Sequence, residues 1–178
     1  MTGMKSLNFV VLLLLTSLSS CKDASVEPEP APPGRFYLET EYVNSAWRYA
    51  HRGQVIDTAG RVITYDLGPT RGAWQGTPGE LYTEEELWAK IHHNDTVRGS
   101  IPADTLRWLQ RLAYASVAGA MSDTVGGSMD LGMSIISCYT LEPGTSLFRR
   151  TELRATGDME YHNTSASAVQ LAAWMAAR

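Results

Sequence analysis

Four stretches of the 178-residue chain carry side chains that could do chemistry. Cys138 is a lone thiol in the folded region, and a lone Cys with His elsewhere is a candidate nucleophile. It stands among Ile135, Ile136 and Tyr139, with no helix start or Gly-rich turn before it to favour the thiolate. A small buried hydrophobe is the simpler assignment. His92-His93-Asn94-Asp95 offers two imidazoles. Adjacent helical residues point about 100° apart, so the pair cannot share a metal as an i, i+4 pair does. Imidazole at a helix C-terminus is explained by the dipole alone. His51 and His162 are distant in sequence. In Gly126-Gly127-Ser128-Met129-Asp130, Asp130 stands where a nucleophile elbow needs its second glycine. The acids there are too sparse for a calcium loop. No catalytic residue, cofactor or metal site is assigned on this basis.

The fourth stretch points to binding. Trp74 lies in Arg71-Gly72-Ala73-Trp74-Gln75-Gly76, a loop with little else to bury, and Trp47, Tyr49, His51 and Arg52 lie just ahead of a predicted hairpin. An exposed indole can stack on a sugar ring or anchor a protein partner. The candidate surface is therefore Trp47, Tyr49, Arg52 and Trp74; the competing reading folds Trp74 over the sheet edge as a core lid.

The N-terminus bears on where these residues work. Residues 1–20 contain Lys5, no acid, and the unbroken apolar run Phe9 to Leu15, followed by small residues and then Cys21. A basic start, a short apolar stretch and a small-residue end describe a secretory signal. The run is too short for a transmembrane helix, which needs about 20 apolar residues. Leu18-Ser19-Ser20-Cys21 resembles the lipobox of bacterial lipoproteins, a likeness confined to residues 1 to about 23. It implies cleavage before Cys21, a diacylglycerol thioether on that cysteine, and anchoring by at least two acyl chains, which hold where one is marginal. Lys22 follows the Cys in place of the Asp that signals inner-membrane retention, which favours the outer over the inner membrane. Beyond the lipobox, the body resembles small uncharacterised envelope lipoproteins, which implies no activity.

Composition agrees. Fifteen Lys plus Arg against nineteen Asp plus Glu give a net charge of -4, which does not favour nucleic acid as a partner. With 44% apolar and 19% charged residues and only two cysteines, the chain is neither collagenous nor a disulfide-dense miniprotein. The expected organisation is a signal peptide over 1–20, a lipidated Cys and Pro-rich acidic tether over 21–34, and one globular domain over 35–178. Pro28, Pro30, Pro32 and Pro33, with Glu27 and Glu29, make the tether an extended spacer reaching roughly 40 Å.

The elements that must position the candidate residues read as α+β. Phe36, Leu38, Thr40 and Tyr42 alternate with Tyr37, Glu39 and Glu41, which predicts a half-buried strand. Gln54–Asp57 and Arg61–Asp66 form a hairpin around Gly60, and Met133–Leu141 returns through Glu142-Pro143-Gly144-Thr145 into Leu147–Arg154. A capping box, Thr83 with Glu86, starts one helix; Pro102 opens a second; Asn163 or Thr164 caps a third. Strands and helices in blocks imply an antiparallel sheet of about five strands, in two hairpins, with about three helices on one face. The function expected is a membrane-tethered, non-catalytic module binding an envelope protein or glycan. The alternatives are an envelope hydrolase using Cys138 or a His, and a lipoprotein giving immunity to a toxin.

Overall fold

The computed structural model describes residues 34–46, 49–68, 78–92, 95–127 and 130–178. The signal segment, Cys21, the tether up to residue 33, Trp47, Trp74, His93 and Ser128 lie outside the described residues. Everything described belongs to one unit, Ala31–Arg178.

The five expected strands form. They are β1 (Phe36–Asn44), β2 (Ala50–Ile56), β3 (Arg61–Asp66), β7 (Met133–Leu141) and β8 (Phe148–Gly157). The two tight turns follow their sequences. Gly60 takes φ 80° between β2 and β3, and its N–H donates to Asp57 O at 2.8 Å. Gly144 takes φ 75° after Pro143, and Thr145 N–H donates to Glu142 O at 3.1 Å, as a type II turn requires.

The sheet has nine strands, however, not five. The additions are β4 (Leu81–Tyr82), β5 (Thr96–Ser100), β6 (Val125–Gly126) and β9 (Met159–His162). Each is short or fully exposed on both faces and so lacks the apolar alternation that marks a strand in sequence. The order is β5-β3-β2-β1-β7-β8-β9-β6, with β4 pairing β8, and every pairing is antiparallel. At the centre β1 lies against β7 with Leu38 opposite Cys138, a hundred residues further along the chain.

The helices are α1 (Glu84–Ile91), α2 (Ala103–Ser116) and α3 (Ala166–Ala176). The capping box forms at Thr83: its Oγ1 accepts the Glu86 N–H, while Glu86 Oε2 takes the Thr83 N–H at 2.7 Å. The third helix is capped by Ser165, whose Oγ accepts the Ala168 N–H. Asn163, expected there, is instead fully buried and donates through Nδ2 to Ser116 O at 3.0 Å, bracing the end of α2 against the approach to α3.

The helices do not share one face. Leu109 and Ala113 of α2 and Leu171, Ala172 and Met175 of α3 pack on Phe36, Leu38, Ile56, Ile136, Cys138 and Leu153. Leu87 and Ile91 of α1 pack on the other side of the sheet, over Tyr37, Val55, Ile63, Tyr65, Tyr139 and Phe148. The central strands are therefore covered on both faces, and the expected half-buried β1 is wrong for a physical reason. Its second face carries Tyr37, Glu39 and Glu41, and α1 brings a cation, Lys90, down onto the acids. Glu39 is 1% exposed and Glu41 4%.

Candidate functional site

Strand alternation sets Glu39 and Glu41 side by side on the α1 face of β1, and Arg150 and Glu152 likewise on β8. Lys90 reaches down from α1 with Nζ 2.6 Å from Glu39 Oε1 and 2.9 Å from Glu41 Oε2. Arg150 bridges the carboxylates: Nη2 donates to Glu41 Oε1 at 2.5 Å, and Nη1 lies 3.0 Å from Glu152 Oε1. Tyrosine hydroxyls close the periphery. Tyr65 and Tyr139 donate to the two oxygens of Glu39 at 2.6 and 2.7 Å, and Tyr161 donates to Glu152 Oε2 at 2.6 Å. His51 Nε2 lies 2.8 Å from Glu41 Oε2, and its Nδ1 is 3.3 Å from the Tyr49 hydroxyl.

Three carboxylates thus meet Lys90, Arg150 and one imidazole among buried side chains. Burial alone would raise the Glu41 carboxyl. Lys90, the His51 hydrogen bond and Arg150 together outweigh it and hold Glu41 well below the usual carboxylate range. Burial, and then the charge of Glu39, push the Tyr65 and Tyr139 hydroxyls well above their ordinary value.

Glu41, His51 and Arg150 form one wall of a cavity of about 430 Å³, with Asp130, Met133 and Asp158 around it. Both ring nitrogens of His51 are engaged within the network, and both Glu41 oxygens accept from cations. The network holds charge in fixed geometry, with Asp130 and Asp158 as further carboxylates on the cavity wall.

A second concavity lies on the opposite face of the sheet. Residues alternate along β2, so His51 faces α1 while Arg52 faces the α2–α3 side. There the sheet extends beyond its helical cover as a cavity of about 540 Å³ whose lining includes Arg52, Gln54, Arg98, Ser134 and Arg178. Arg52 sits 5.4 Å over the Tyr42 ring and Arg178 sits 4.0 Å over Trp174. Arg98 Nε donates to Thr64 Oγ1 at 3.3 Å. Among the described residues these three arginines form no ion pair. Asp66, directly across from Arg52 on β3, accepts the Gly68 N–H at 2.8 Å and does not pair with it.

No protein-family model matches the chain, and no curated protein or solved structure is significantly similar to it.

The residues expected to form one binding surface are separated. Tyr49 is 8% exposed and belongs to the His51 network, whereas Arg52 belongs to the open groove behind it. The described residues on either side of the Trp74 segment attach to the network strands: Leu67 N–H donates to His51 O, and Gly79 N–H to Arg150 O. Cys138 lies in the opposite, apolar core with Sγ 3.8 Å from Ala113 O, and burial pushes its thiol up to about 12. His92 caps α1, stacks on Trp88 at 4.6 Å and holds Asp95 Oδ2 at 2.7 Å. His162 is exposed on β9. Among the described residues no group of three or more His, Cys, Asp or Glu is placed to hold a metal ion, and no helix is long and apolar enough to cross a membrane.

Sequence reasoning missed the network. The available signal was Lys90, a cation between Leu87 and Ile91 on the apolar stripe of its helix, together with the acids at 39 and 41 and the Arg-x-Glu at 150 and 152. All of these face inward.

Proposed function

We propose that the chain is a lipoprotein anchored through Cys21 to a membrane of the bacterial envelope, with a folded domain that binds a partner non-catalytically. The location rests on Leu18-Ser19-Ser20-Cys21, followed at once by an acidic Pro-rich spacer. The outer membrane is preferred because Lys22 stands where a retention signal would place Asp.

The binding reading rests on one observation. Among the described residues, Arg52, Arg98 and Arg178 have no carboxylate partner inside one cavity of an otherwise acidic protein. Exposed cations are normally interspersed with acids, and a local surplus inside a concavity concentrates field on whatever enters. Aromatic rings and a threonine hydroxyl hold the guanidiniums in place, which lowers the ordering cost of recognition. Hydrolysis through Cys138 draws no support from its position, because a thiol buried beneath α2 and pushed up to about 12 is neither ionised nor reachable by substrate.

The test is a photoreactive residue at Gln54 in the full chain, irradiated in intact envelopes. A light-dependent adduct that Arg52→Ala suppresses, and that the same probe at Arg111 on the outside of α2 does not give, is the expected result. Equal adducts at both positions, or none at Gln54, would overturn the reading.

A further inference from the structure

We infer that the groove on the α3 side of the sheet recognises an acidic saccharide, a hydroxyl-rich ring bearing a carboxylate or phosphate. The inference deepens the binding reading and rests on it.

The donors come from separate parts of the chain. Arg52 and Gln54 project from β2, Arg98 from the edge strand β5, Ser134 from β7, and Arg178 from beyond α3. All present hydrogen-bond donors. Arg52 and Arg178 are fixed over Tyr42 and Trp174, so their rings are covered and the exposed element is the guanidinium fork. That fork matches the two oxygens of a carboxylate or phosphate. The Gln54 amide and the Ser134 hydroxyl have no hydrogen-bond partner among the described residues, which leaves them for the hydroxyls of a ligand. Within the described lining the acids are Glu41, committed to the buried network on the far face, and Asp66, against three arginines. Local charge is therefore positive, opposite in sign to the chain as a whole.

The position on the sheet selects a saccharide over an acidic peptide. An extended peptide gains affinity by adding a strand at a sheet edge. Most of this groove lies on a sheet face, where the backbone N–H and C=O groups of β1, β2 and β3 are already spent on one another, and only Thr96 and Arg98 reach it from the edge strand β5. Side chains therefore carry most of the recognition: guanidinium, amide and hydroxyl groups read charge and hydroxyls, beside the apolar surface of Tyr42, Met175 and Ala176 on which a sugar ring can lie. At about 540 Å³ the cavity falls within the range of small-ligand sites.

The experiment titrates the detergent-solubilised full chain with tetragalacturonate, glucose 6-phosphate, inorganic phosphate and neutral maltotetraose, read by calorimetry and ligand-observed NMR. Binding of at least one acidic sugar, weakened about tenfold by Arg52→Ala or Arg98→Ala and weakened by added salt, is expected. Maltotetraose should bind at least about tenfold more weakly. Preference for tetragalacturonate over glucose 6-phosphate assigns a carboxylate, and the reverse a phosphate. Both arginines are exposed, so the variants should melt with wild type, and a melting scan checks this. Equal binding of the neutral sugar, indifference to both substitutions, binding of inorganic phosphate as tight as that of any sugar, or no acidic sugar bound would each overturn the inference. If acidic sugars fail while Gln54 still gives its Arg52-dependent adduct, the ligand class is wrong and the binding module stands. If both fail, both fall.

Discussion

Lys90 places its ammonium 2.6 Å from the Glu39 carboxylate, and this contact ties α1 to the middle of the sheet from the side opposite α2 and α3. Both side chains are at most 2% exposed. A short helix of eight residues, with only Leu87 and Ile91 as buried apolar contacts, is marginal by packing alone. The ion pair specifies where it docks.

Removing one member of such a pair leaves a buried charge without compensation. Lys90→Met, which keeps the length of the side chain, should therefore lower the unfolding free energy by about 3–5 kcal/mol. Pairing it with Glu39→Gln should recover part of that loss, because the charge most dependent on Lys90 is then gone. Urea unfolding of the two single variants and the double variant measures the coupling. Additive losses would mean that Lys90 stabilises through its aliphatic stem rather than through Glu39.

The network also sets the response to pH. Glu41 is held below its ordinary value of 4.5 by Lys90, His51 and Arg150 against the opposing effect of burial. The unfolded chain then binds more protons in acid than the folded one. Its contribution is complete above pH 4.5 and drains as the pH falls from there. At the other extreme, Tyr65 and Tyr139 are raised above 10.0 by burial and Glu39. Their contribution is intact below pH 10.0 and declines as the pH climbs past it. Thermal melts across pH should fall off on both flanks, and Glu41→Gln should flatten the acid flank while lowering the plateau. An acid flank unchanged by that substitution would contradict the assignment.

Cys138 provides a check on the opposite core. With its side chain beneath α2 and its thiol pushed up to about 12, it should resist a thiol reagent in the native protein and react only on unfolding. Rapid labelling under native conditions would return it to consideration as a nucleophile.

What could be read from sequence divides along a physical line. The long strands β1, β7 and β8, the Gly60 and Gly144 turns and the Thr83 capping box were legible because alternation, positive φ and capping are local. The exposed edge β5 and the two-residue pieces β4 and β6 carry too little pattern to stand out. A half-buried β1 would turn Glu39 and Glu41 to water, as acids on alternate positions usually are. Only tertiary pairing with Lys90 and Arg150, far along the chain, reverses that reading. Tyr49 and Arg52 were grouped by closeness in sequence, yet an odd spacing on β2 and its approach sends them to opposite faces. The mixed α+β class survived; the placement of α1 did not, since the amphipathic stripe of a helix does not say which face of a sheet it will cover.

Everything said of where the protein works depends on residue 21. Mass spectrometry of the N-terminal peptide, from protein extracted natively out of membranes, tests that directly. The expected chain begins at Cys21 and carries a diacylglyceryl thioether on that residue. An unmodified Cys21, or a peptide that still carries residues 1–20, would contradict it.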